Sequence, residues 1–157
     1  MKFLFCAILI IFSFVQFSHG RYNFNSIFFE NVKFDLTRNC GNVERDFDRE
    51  FSNAKHKLFK ECEKLGKKAT KEGSMDCLEA ARFIAEGDLN DKNQELTNCV
   101  KELKDSIEND MNPEWKVREI FTFRNVLRNQ LNACRRTTRI KIRTITNDFT
   151  NTGKNCL

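Results

Sequence analysis

Apolar positions recur in steps of three and four along most of this chain, the period of one face of an α-helix. The clearest run is Val43, Phe47, Phe51, Ala54, Leu58, Cys62 and Leu65, which advances by 4, 4, 3, 4, 4 and 3. It predicts a first main helix from about Asn42 to Leu65, stopped by Gly66, with Lys64, Lys67 and Lys68 suited to its negative end. A short second helix is expected to start at a Ser74 cap, carry Cys77, Leu78, Ala81, Ile84 and Ala85 on one face, and end at Gly87. A third opens at Asp88–Asp91, where Asp91 and Gln94 resemble a capping box, and shows Leu96, Cys99, Val100, Leu103 and Ile107. The last is the longest, Pro113 to Phe149, with Asn112 as its cap and proline at the first position. At the helical rise it would be about 55 Å long and needs partners to be stable in water. The expected fold is therefore all-α: a disulfide-linked antiparallel helical bundle of about four helices with one long C-terminal helix.

Three regions differ in composition. Residues 1–20 have Lys2 ahead of an apolar run from Phe3 to Phe17, then Ser18-His19-Gly20, the pattern of a secretory signal peptide. The run is about 15 residues, short of the roughly 20 that span a bilayer, which disfavours an uncleaved anchor. Residues 21–39 form an aromatic-rich arm containing Phe24, Ile27, Phe28, Phe29, Val32, Phe34 and Leu36. Val32, Phe34 and Leu36 alternate like an extended segment, whereas Phe24, Ile27 and Phe28 suit a helical turn, so its conformation is open. It is expected to pack on the bundle, with an exposed patch for a partner as the alternative. Residues 40–157 form the helical disulfide-bonded domain.

Of seven cysteines, Cys6 lies in the leader, and six remain: Cys40, Cys62, Cys77, Cys99, Cys134 and Cys156. An even number in an exported chain reads as three disulfides. Each of the pairs 40/62, 77/99 and 134/156 is separated by 22 positions. Within one helix that is about 33 Å, far beyond the reach of a disulfide. With the first and last helices antiparallel, equal spacing places Cys40 beside Cys156 and Cys62 beside Cys134, and a hairpin near Gly87 joins Cys77 to Cys99. The main rival is Cys62–Cys77 across the first turn, which would leave Cys99 and Cys134 about 15 Å out of level in an ideal hairpin. No CxxC pair is present and His56 is the only histidine beyond the leader, so no metal and no other cofactor is expected.

Charge divides unevenly. Residues 114–157 carry ten Lys/Arg against three Asp/Glu, a net +7, whereas residues 40–113 carry thirteen against seventeen, a net −4. Acidic helices packed beside a basic one would account for this. The sharper reading is a face for an anionic partner, formed by Arg128, Arg135, Arg136, Arg139 and Arg143. Nucleic acid is not the expected partner of an exported chain. Enzymatic constellations fail on inventory: beyond the leader one histidine, flanked by lysines on the polar side of its helix, and no G-x-S-x-G, H-E-x-x-H or P-loop. A calcium loop from Asp88 fails too, with Asn93 at the glycine position and Cys99 at the bidentate glutamate position.

Together, a leader, a helical body, widely spaced paired cysteines and the ending L-N-A-C134…C156-L resemble the insect secreted TsetseEP-domain family from Cys40 to Leu157. The Glu-Pro repeats that name that family are absent, since Pro113 is the only proline. The resemblance implies a small secreted gut or haemolymph protein without known catalysis. The expected function is binding: of a partner protein, a host surface or an anionic polymer. The alternative is a carrier whose Phe24, Phe28, Phe29, Phe47, Phe51, Phe59, Phe83, Phe121 and Phe123 line a cavity for an apolar ligand.

Overall fold

The computed structural model describes the backbone of residues 2–70 and 72–157, and the side chains of residues 24–70 and 72–157. Among the described residues there are three helices, α1 (Lys2–Gly66), α2 (Ser74–Asn109) and α3 (Val117–Asn155), and no strand. The proposed leader lies outside the residues whose side chains are described.

Ion pairs between the helices give their directions. Lys33 reaches Glu108 and Lys104 reaches Glu44, so residue numbers rise on α1 as they fall on α2, and the two run antiparallel. Arg124–Asp35 and Arg139–Glu50 are both 89 residues apart, so α1 and α3 run parallel in near-constant register. The result is an up-down-up three-helix bundle. Its core runs from Phe29, Met111 and Ile120 at one end, through Phe47, Val100 and Leu127, to Leu65, Leu78 and Phe149 at the other. At that second end a Cβ added to Gly153 would stand 2.7 Å from Leu65 and 3.2 Å from Leu78, so glycine is what lets the three helices close together there.

Four helices were expected and three are present. The second and third expected helices are one, because α2 continues through Gly87. The stripe of Leu78, Ala85, Leu89 and Leu96 is buried on both sides of that glycine. A helix interior tolerates glycine at a cost of about 1 kcal/mol, far less than this stripe recovers by burial. Ser74 is not a cap either. Gly73 occupies that position with φ 80°, and the buried Ser74 hydroxyl lacks a hydrogen-bond partner. The last helix starts four residues later than expected. Asn112 Oδ1 accepts a hydrogen bond from the Glu114 N–H at 2.9 Å and so closes a turn, and Glu119 Oε2 caps the true start by accepting from the Lys116 N–H at 2.7 Å. The aromatic arm is helical, continuous with α1, and buries Phe29, Val32 and Leu36 while leaving Phe24, Ile27 and Phe34 exposed.

The nested disulfide pairing is corrected in full. Among the described residues the bonds are Cys77–Cys156 and Cys99–Cys134, while Cys40 and Cys62 are buried free thiols, so the rival Cys62–Cys77 pairing fails as well and Cys99 stands level with Cys134. Two facts of the fold explain the change. Cys77 and Cys99 sit on one unbroken helix, about 33 Å apart, so they have no hairpin to bring them together. Parallel α1 and α3 place Cys40 level with Asn129, about 40 Å along the bundle from Cys156. Cys62 is likewise about 25 Å from the level of Cys134. Equal spacing on antiparallel helices does produce two rungs, but the helices concerned are α2 and α3. Burial pushes the Cys40 and Cys62 thiols above their ordinary range, which keeps them protonated and unreactive.

Two measurements check this account. Gly87→Ala should raise stability by about 0.5–1 kcal/mol, because the position is helical and its added Cβ meets nothing within 4 Å. A hairpin at Gly87 would make the same change destabilising in a denaturant titration. Non-reducing peptide mapping should recover 77–156 and 99–134, with Cys40 and Cys62 alkylated rapidly only after denaturant is added.

Candidate functional site: a basic groove between the first and last helices

The charge asymmetry seen in the sequence has a definite shape in the fold. α3 carries nine Lys/Arg and two Asp/Glu, a net +7, and α2 carries four and nine, a net −5. Their charges do not meet across the bundle. Among the described residues α2 makes its interhelical ion pairs with α1, through Glu108–Lys33 and Lys104–Glu44, and its bonds to α3 are the two disulfides. Acidic-beside-basic neutralisation therefore leaves much of α3 unpaired.

Arg128, Arg135, Arg136, Arg139 and Arg143 fall within about 100° of arc on α3 at 100° per residue. That arc is the side turned toward α1, as the Arg139–Glu50 contact shows. Arg128 and Arg135 border one concavity with Asn39, Asn42 and Asp46, and Arg139 and Arg143 border the next with Asn53 and Lys57. A third, lined by Asn132, Arg135, Arg136, Arg139, Ile140 and Arg143, overlaps both along α3. Two of them lie on the α1–α3 seam and the third on the adjoining surface of α3, bridging them, and from Arg128 to Thr146 the row measures about 27 Å by helical rise.

The five arginines are not equivalent. Arg139 grips Glu50 with two nitrogens, Nε at 2.9 Å and a terminal nitrogen at 2.5 Å from Oε1, and its guanidinium carbon lies 5.5 Å from the centre of the buried Phe47 ring. That side chain ties α3 to α1 and covers the core. Arg128, Arg135, Arg136 and Arg143 carry no ion pair among the described residues, and all but half-buried Arg135 are exposed. Sequence spacing found the face but had no means of distinguishing Arg139, because its partners lie 89 and 92 residues away.

The phenylalanines are dispersed. Phe29, Phe47 and Phe51 are buried in the core, Phe28 and Phe123 are half-buried, and Phe24, Phe59, Phe83 and Phe121 are exposed. They do not gather around one cavity. His56 is exposed on α1. Among the described residues no cluster of three or more His, Cys, Asp or Glu is placed to hold a metal, and no helix is long and apolar enough to cross a membrane. Compared with known proteins, the chain matches no family model, no curated protein and no solved structure.

The unequal roles of the arginines can be measured. Arg139→Ala should cost about 0.5–1 kcal/mol, modest because the pair is partly exposed and screened, whereas Arg136→Ala should change stability by less than about 0.5 kcal/mol. Chemical denaturation of the two variants under identical salt checks the difference.

Proposed function

We propose that this chain is an exported, non-enzymatic helical protein that acts by binding an anionic partner along the α1–α3 seam. The observation that carries the reading is the row of four arginines, Arg128, Arg135, Arg136 and Arg143, without carboxylate partners among the described residues, on one side of α3. Four guanidinium groups within about 22 Å of helix, with Asp46 the one acid beside them that no arginine engages, create a net positive potential along the seam. Export is supported by the sequence of residues 1–20 and by two disulfides, which persist in oxidising compartments. The resemblance to the TsetseEP-domain family is in keeping with a secreted protein that performs no catalysis.

A test must separate a local site from general positive charge. Arg135→Ala/Arg136→Ala/Arg143→Ala should elute from immobilised heparin at markedly lower salt than Lys55→Ala/Lys60→Ala/Lys101→Ala, which loses the same three charges elsewhere. Equal elution of the two triple variants would show that the α3 row is not the binding face. Binding through the row should also weaken steeply as ionic strength rises, because these contacts lie in water.

A further inference from the structure

Resting on that reading, we infer that the groove takes a linear sulfated polysaccharide, lying along the α1–α3 seam with its sulfates on the arginine row and its hydroxyls on flanking amides. Three features of the site point to this chemistry over other polyanions.

The first is shape. The three concavities follow one another along the helix axis and share Asn132, Arg135, Arg139 and Arg143 between neighbours. They make a trough, not a bowl closing on a single phosphate. The arginines without ion pairs recur about every seven residues, at 128, 135/136 and 143, about 10 Å apart along the helix. That arrangement suits an extended chain bearing charge at regular intervals. Guanidinium groups match the oxygens of a sulfate in paired, parallel hydrogen bonds.

The second is the neutral lining. Asn39 and Asn53 on α1, and Asn132 on α3, border the trough between the cations. A carboxamide offers both donors and an acceptor, the complement of a sugar hydroxyl, which also does both. An acyl-lipid surface has little use for such groups.

The third is what the trough does not present. Ile140 is the one exposed large apolar side chain among its lining residues, too little for insertion into a bilayer. No aromatic side chain lines it, so it has no platform on which the bases of a single strand would stack. The exposed aromatic side chains among the described residues lie elsewhere: Phe24, Phe34 and Phe59 on α1, Phe83 on α2 and Phe121 on α3.

The experiment compares three ligands on the full chain at one salt concentration by titration calorimetry. They are a size-defined heparin oligosaccharide, vesicles of phosphatidylcholine with phosphatidylserine, and an oligothymidylate of similar charge. The oligosaccharide should bind at least tenfold more tightly than either of the others, and its N- and O-desulfated form should lose that affinity. Asn53→Ala and Asn132→Ala, both at exposed positions, should weaken the oligosaccharide several-fold while leaving oligothymidylate binding unchanged. Unaltered thermal unfolding of these variants establishes that they fold. Equal or tighter binding of vesicles or oligothymidylate overturns the inference while leaving an anionic face intact, as does indifference to both asparagine substitutions. Failure of all three ligands to respond to the Arg135/Arg136/Arg143 triple substitution overturns the proposed function itself.

Discussion

The constraint on which this bundle depends is the fixed rise of an α-helix. Two antiparallel helices that each carry cysteines 22 residues apart can be bonded at both places only in one register. In α2 and α3 that register is realised, and the two bonds hold about 33 Å of helix side by side. Everything else is placed against this ladder. α1 lies along the remaining side, buries its stripe from Phe29 to Leu65 against both partners, and among its described side chains contributes no disulfide.

This division of labour has an electrostatic consequence. The acidic and basic helices are joined covalently, and the ion pairs between helices run to α1 from either side. Disulfides need no charge complementarity, so α3 keeps most of its positive charge free. The parallel alignment of α1 and α3 then sets asparagines, with only Asp46 and Glu50 as acids, opposite the arginine row. Glu50 is taken up by Arg139, whose contact with Phe47 makes it part of the packing. A surface with net positive charge and a defined long axis is left along the seam.

Much of the helical content was readable from the chain. The stripe from Val43 to Leu65 is buried at every position named from its spacing, and Gly66 ends α1 as expected. The errors share one cause. By local preference Gly87 and Asn112 are punctuation, yet each is subordinate to a stripe of apolar side chains continuing past it or starting beyond it, and at Ser74 the cap lies one residue earlier, at left-handed Gly73. Gly66 itself is not left-handed; among the described residues only Gly73 has positive φ, and at Gly66 an added Cβ would meet the Met75 sulfur at 2.8 Å. A residue that marks a turn in isolation acts only when the burial on either side permits the chain to break there.

By itself the sequence determined that the chain is helical, which side of each segment is apolar, that its cysteines come in pairs too widely spaced to bond within a helix, and that its positive charge gathers near the C-terminus. Those properties follow from periodicity and composition, which are local. Tertiary structure decided the number of helices, the cysteine partners, and which arginines stay free. Each of these depends on the relative direction and axial offset of helices distant in sequence. Reversing one helix in such a bundle preserves every local pattern and changes every cross-helix partner, so only the packed arrangement distinguishes the alternatives.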